Sequence, residues 1–261
     1  MAVVSFAHHP IAAYMTSDLE TGNCDTPMSE IARRLANRRI SAVPIVTIAA
    51  RSSVWSRVTT SATTFATTPV SSTHRARRSC RKGRLFAESR APLREAARVM
   101  IAHRIHRVFV VDHGRLVGVV STTDLARAIE DAGLTQPLHA IMTSPVATIR
   151  VDQSLALAME WLDRAHVTGL VVTEHDWPVG VFAQEDALAA RGLPPTTAIG
   201  TLYDSALICL PRETPIHRAA AQCARMGVRR IVASHQRDFV GVVSGLDFAA
   251  VVATAGVEAP A

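Results

Sequence analysis

The chain has 261 residues, enough for one large or two ordinary domains at about 100–200 residues each, and its 48% hydrophobic against 19% charged residues exclude general disorder. No apolar run reaches the roughly 18 residues of a membrane span, the opening MAVVSFAHHP lacks the regions of a secretory signal, and four scattered cysteines (Cys24, Cys80, Cys209, Cys223) without a CxxC pair point to a reduced, cytoplasmic protein. The net charge of +6 belongs to one stretch: residues 47–82 hold seven basic and no acidic side chains, and the rest of the chain carries 21 basic against 22 acidic.

In chain order, an amphipathic helix is expected from near Pro27, then an apolar run at 40–46. The basic stretch 47–82 follows. A second helix is expected from near Pro92, then an apolar run at 105–111, a turn at 112–115, a second run at 116–120 and a helix starting at Asp124. A third helix starts near Ser154, with a run at 167–173 and a helix at Asp186. A fourth starts near Pro215, with runs at 228–234 and 239–243 and a helix at Asp247. Pro92 and Pro215 stand where a first helical turn tolerates proline.

These elements repeat. The first strands are offset by 65, 62 and 61 residues, and the helices before them keep the same register. Each helix carries one apolar stripe at i, i+3, i+4, i+7 spacing. The expected core faces are Leu93, Ala96, Ala97, Met100 and Ile101, then Leu155, Ala158, Met159 and Leu162, then Ile216, Ala219, Ala220 and Cys223. The unit reads β-α-β-β-α, so the fold class is α/β (α+β). A unit of about 60 residues buries too little surface to be secure alone. Four units at about 11–60, 84–130, 137–192 and 198–253 are therefore expected to pair into two modules, 1–130 and 137–253.

Within the repeat stand Gly118-Val-Val-Ser-Thr-Thr-Asp124 and Gly241-Val-Val-Ser-Gly-Leu-Asp247, with Met15-Thr16 and Met142-Thr143 opening two of the units. This pattern resembles the cystathionine-β-synthase (CBS) domain family, over about residues 11–46 and 84–253. The resemblance implies tandem CBS repeats paired into two Bateman modules, binding AMP, ADP, ATP or S-adenosylmethionine in clefts between repeats. It implies that Asp124 and Asp247 hold ribose hydroxyls and that Ser121, Thr122 and Ser244 help to hold phosphate. The chemistry is reasonable: a carboxylate can accept two vicinal hydroxyls, and a helix start favours an anion. The stretch from His103 to Asp112 is further similar to the γ subunit of AMP-activated protein kinase, where a His-Arg pair belongs to the phosphate-binding set. Here that pair is His106-Arg107, matched by Arg229-Arg230 in the fourth repeat and replaced by Ser41-Ala42 and Thr168-Gly169 in the other two.

Structural alternatives stand beside these readings. Each Asp can be a plain helix N-cap, Asp186 above all, because its repeat reads Gly180-Val-Phe-Ala-Gln-Glu-Asp186 without the hydroxyl. His106-Arg107 can be a solvated turn into a strand. His103 and His106 have no further ligand at metal spacing, so no metal site is expected.

The stretch 47–82 breaks the repeat. A strand with Gly near 53 and an Asp near 59 should stand there, but Ser and Thr supply 15 of its 36 residues. With one Lys against 27 Arg in the whole chain, the gene is expected to be G+C-rich, and a shifted reading frame across residues 53–61 permits Gly-Val-Val-Ser-Arg-Asp-Asp-Leu. A segment translated out of frame, a disordered insertion and a basic arm for nucleic acid are the three readings. No nucleic-acid motif accompanies it, and no GxSxG, P-loop or GxGxxG is present, so neither a nucleic-acid function nor catalysis is expected. The expectation is a regulatory protein that binds an adenosine-containing small molecule. A homodimer or a separate regulated protein is the expected partner, and no membrane is. The alternative is a ligand-independent assembly module.

Overall fold

The computed structural model describes residues 6–23, 25–38, 43–46, 58–61, 86–165, 167–190 and 192–255. Two compact units form, one of Met1–Leu125 with Ala249–Ala261 and one of Ala126–Phe248. No helix among the described residues is long and apolar enough to cross a membrane.

The first repeat contributes α1 (Met28–Arg38), β1 (Val43–Val46) and β2 (Val58–Ser61), with β1 and β2 antiparallel. Val43 and Ile45 of β1 are buried. The remainder of the out-of-pattern stretch 47–82, including Ser53 where a glycine was expected, lies outside the described residues. Thr59, where an Asp was expected, is in β2.

The other three repeats share one plan. The second runs β3 (Phe86–Glu88), α2 (Leu93–His103), β4 (Arg107–Asp112), β5 (Arg115–Ser121), α3 (Thr122–Asp131). The third runs β6 (Thr148–Arg150), α4 (Leu155–Arg164), β7 (Gly169–Glu174), β8 (Trp177–Ala183), α5 (Gln184–Ala189). The fourth runs β9 (Ile208–Pro211), α6 (Ile216–Met226), β10 (Arg230–His235), β11 (Asp238–Ser244), α7 (Gly245–Thr254). In each, the middle strand pairs parallel with the first strand and antiparallel with the last. Val108, Phe109 and Val110, then Leu170, Val171 and Val172, then Ile231, Val232 and Ala233 are near-continuous apolar runs, as a strand covered on both faces requires.

The helix faces follow the expected spacing with two corrections. Leu93, Ala96, Ala97 and Met100 are buried, as are Ile216, Ala219, Ala220 and Cys223. Ile101, eight residues after Leu93, was expected in the core but is 39% exposed, outside the buried stripe of Leu93, Ala96, Ala97 and Met100. Met159 was also expected in the core and is 46% exposed. It occupies the place held by the buried Ala97 and Ala220 in the sibling helices.

The segments that lead into the first, third and fourth repeats do not stay with those repeats. Residues before the first repeat lie on the second: Ile11 N–H donates to Ala91 O (2.9 Å), and Thr16 exchanges backbone bonds with Val119 (2.8 and 2.9 Å). Residues before the third lie on the fourth, where Leu138 N–H donates to Thr214 O (3.0 Å) and Thr143 pairs with Val242 (2.9 and 3.0 Å). Residues before the fourth lie on the third, with Ile199 N–H on Gln153 O (2.9 Å) and Asp204 paired with Val181 (3.0 and 2.9 Å). Each segment inserts one aliphatic side chain that is wholly buried: Ile11, Leu138 and Ile199. Ile199 joins Ile149, Leu155, Leu170 and Phe182 in the core of the third repeat.

This exchange gives the motif glycines their reason. A Cβ built on Gly118 would stand 2.6 Å from Met15 Sδ, one on Gly241 2.3 Å from Met142 Sδ, and one on Gly180 2.3 Å from Tyr203 Cδ2 and 2.5 Å from Asp204 O. The obstacle at Gly241 is a flexible side chain, whereas at Gly180 it includes a backbone carbonyl held in a strand-like bridge. Gly180→Ala is therefore expected to destabilise by about 1–3 kcal/mol, the usual range for overpacking. Gly241→Ala should cost less and be partly rescued by Met142→Ala. Urea midpoints of the four proteins check this ranking.

Candidate functional site

The chemistry gathers at one corner of each of the second, third and fourth repeats, where the middle strand begins, the hairpin ends and the second helix starts. The antiparallel register brings these ends together: Arg107 faces Ser121, Gly169 faces Ala183, and Arg230 faces Ser244 as Cα partners. The sequence-derived residues thus fall into clusters. His106, Arg107, Ser121, Thr122 and Asp124 form one corner, and His106 O accepts from Thr122 N–H (3.0 Å). Arg229, Arg230, Ser244 and Asp247 form another. Asp186 stands at the corner of the third repeat with Thr168, Gly169 and Ala183.

The second helices begin at Thr122, Gln184 and Gly245, two residues before the aspartates. This corrects both the expected helix starts and the N-cap alternative. Asp124, Asp186 and Asp247 are third residues of their helices. Each reaches back to the residue before its helix: Asp124 Oδ2 accepts from Ser121 N–H (2.8 Å), Asp186 Oδ2 from Ala183 N–H (2.7 Å), and Asp247 Oδ2 from Ser244 N–H (2.6 Å). That is the carboxylate half of a capping box, with its charge in the first helical turn. The hydroxyls of Ser121 and Ser244 donate to the same oxygens at 2.6 and 2.8 Å. Ala183 offers no such bond, so the corner of the third repeat lacks the hydroxyl, as its sequence indicated.

Asp124 is buried at 3% exposure and Asp247 is half-buried. Burial pushes the Asp247 carboxyl above its usual range, against the opposing pull of the two Ser244 bonds and the nearby Arg230 charge. Arg230 itself donates through Nη2 to Thr168 O (2.9 Å) and Thr168 Oγ1 (3.2 Å). Its guanidinium lies across Gly169, where a Cβ would stand 2.8 Å from Cζ. Sequence reasoning missed Thr168 and Gly169 as partners of Arg230. Their equivalence to Arg229-Arg230 in the repeat register was the available signal. Burial also pushes the Cys223 thiol up to about 12, so it is a core residue with no nucleophilic thiolate.

The family model described as CBS domain matches residues 11–50, 81–131 and 138–192, more than half of the chain. The fourth repeat lies outside those matches yet has the same element order. An L-aspartate semialdehyde sulfurtransferase of Methanocaldococcus jannaschii is 31% identical over 104 residues, 39% of this chain and 20% of that protein. A homoserine O-acetyltransferase of Methanocorpusculum labreanum is 37% identical over 95 residues, 36% of this chain and 19% of that protein. The matches therefore span about a fifth of the length of these curated relatives. Among solved structures, a Methanocaldococcus jannaschii protein described as a candidate archaeal homologue of g-AMPK superposes with a TM-score of 0.70 at 11% identity, covering 92% of this chain and 99% of that one.

The burial of Asp247 has a consequence for stability. Because its folded carboxyl titrates above the unfolded value, the native state holds a proton that the unfolded chain has already lost in the window above about pH 3.8. Its contribution to stability is therefore full below that window and lost as pH rises through the folded value. Asp247→Asn, which keeps an acceptor for Ser244, is expected to be more stable than the parent at neutral pH, with the difference vanishing toward pH 3.8. Denaturation midpoints measured across that range check it.

Proposed function

The chain belongs to the CBS-domain family, and on that premise we propose that it is a regulatory, non-catalytic protein whose repeats bind an adenine nucleotide or a related adenosyl compound. In this reading the repeats pair as two Bateman modules, first with second and third with fourth. Asp124 and Asp247 receive the ribose hydroxyls. Ser121, Thr122, His106 and Arg107 in one corner, and Ser244, Arg229 and Arg230 in the other, receive phosphate. Asp186 is the weakest of the set because Ala183 replaces the hydroxyl. AMP, ADP, ATP and S-adenosylmethionine are the candidate ligands.

One observation carries the reading. In the second and fourth repeats, and in neither of the two lacking the basic pair, a basic strand start lies in register with a Ser-x-x-Asp helix start. The arrangement puts a carboxylate, a hydroxyl, a helix N-terminus and a guanidinium within one corner. A carboxylate is an acceptor of hydrogen bonds from hydroxyls, the chemistry that a ribose diol offers. Guanidinium offers a fork of donors suited to phosphate. A half-buried carboxylate kept at a cost to stability is a further mark of a site held for a ligand.

Binding would act by population shift, with the ligand favouring one packing of a module over another. Its output would be a second copy of the chain or a separate regulated protein. The competing reading, assembly without a ligand, draws on the fact that Asp124 and Asp247 already serve as capping partners of Ser121 and Ser244.

Isothermal calorimetry with AMP, ADP, ATP and S-adenosylmethionine separates the two. At least one is expected to bind, and silence from all four on folded protein defeats the proposal. Asp247→Ala is expected to weaken binding roughly tenfold to a hundredfold, the loss of about 1.5–3 kcal/mol for hydrogen bonds to a charged group. Asp186→Ala should weaken it less, and the reverse order refutes the ranking of the sites.

A further inference from the structure

The corner of the fourth repeat contains a cation that is fixed in place before any ligand arrives. Arg230 Nη2 donates to both oxygens of Thr168, at 2.9 and 3.2 Å, and the guanidinium rests on the bare backbone of Gly169. Any larger residue at 169 would push it away, since a Cβ there would stand 2.8–3.0 Å from Cζ, Nε and Nη2. The same side chain begins β10 opposite Ser244, whose N–H and hydroxyl bind Asp247 Oδ2 at 2.6 and 2.8 Å. Arg230 is partly buried, so its charge is less screened than that of a surface arginine. An arginine keeps its charge at any working pH. Tethering also removes much of the rotamer freedom that an untethered arginine would lose on binding.

Resting on the functional reading above, we propose that this anchored guanidinium selects the ligand of the fourth-repeat corner by charge, admitting phosphate-bearing adenosyl compounds and excluding sulfonium ones. A nucleotide brings negative charge, which the fixed guanidinium attracts. S-adenosylmethionine carries a sulfonium and an ammonium against one carboxylate, a net positive charge that meets a like charge held from moving away. Adenosine, with the same base and ribose but no charge, is the neutral reference. The third-repeat corner cannot make the same selection with its own residues, because Gly169 and Ala183 stand where Arg230 and Ser244 stand in the fourth.

The test is site-resolved nuclear magnetic resonance on the full chain, following the Thr168 methyl and the Gly245 and Leu246 amides during titration with AMP, adenosine and S-adenosylmethionine. AMP is expected to bind this corner at least about tenfold more tightly than adenosine, with S-adenosylmethionine weakest. Arg230→Met should erase the advantage of AMP while leaving adenosine within about twofold, and should flatten the dependence of AMP affinity on salt. If Arg230→Met does not fold, Arg230→Lys substitutes: it should retain part of the AMP advantage and its salt dependence. S-adenosylmethionine binding as tightly as AMP overturns the charge selection and leaves the adenosyl reading intact. Equal losses for AMP and adenosine in Arg230→Met overturn it too, since a merely structural clamp on Thr168 acts on both alike. If none of the three ligands moves any of these signals, the selection falls, and the functional reading falls with it only where calorimetry with all four ligands is silent too.

Discussion

The structure depends on an exchange of short segments between repeats. A unit of this length has a three-stranded sheet with one helix before its hairpin and one after it. In the second, third and fourth repeats the leading segment of a sibling lies across the hairpin and adds a buried side chain to the core. Ile11, Leu138 and Ile199 are the plugs, and the paired backbone bonds at Thr16, Thr143 and Asp204 hold them in register. The hairpin strand must come close enough for backbone-to-backbone bonding, which leaves no room for a Cβ at Gly118, Gly180 or Gly241. One steric constraint therefore ties together the glycine of the motif, the Met-Thr pair of the leading segment and the pairing of repeats.

That same geometry creates the chemical corner. The hairpin strand that receives the foreign segment ends two or three residues later at Ser121, Ala183 or Ser244, and the chain turns at once into a helix. The turn leaves a backbone N–H, a hydroxyl and a carboxylate three residues on in mutual contact. The middle strand, antiparallel to it, delivers its first side chain to the same place. Where that side chain is arginine the corner carries both charges, and where it is Gly169 the corner instead receives the arginine of its sibling. Small differences at two positions per repeat thus make corners of different character on one backbone plan.

Much of this was legible in the sequence, for reasons that can be named. The helices were found because burial of one face demands a 3.6-residue period, and their starts at Leu93, Leu155 and Ile216 each follow the expected proline or serine. The strands were found because a middle strand covered on both faces is a short apolar run. Other features were not legible. The period alone did not separate Met159 from Ala97 and Ala220, because it records which way a position faces and not how fully the side chain there is covered. The aspartates looked like helix starts because Asp is favoured at an N-cap. Only the backbone shows that they act from the third helical position, through a bond to the residue before the helix.

The sequence by itself determined the repeat, its element order, the family it resembles and the residues that populate each corner, because all of these are encoded in local periodicity and in identities recurring at fixed offsets. Tertiary structure alone decided which repeat each leading segment serves, why the motif requires glycine, and that Arg230 is spent on Thr168 while its charge acts on Asp247. These are contacts between residues up to about a hundred positions apart, and pairwise contact at that separation leaves no period along the chain for a single sequence to show.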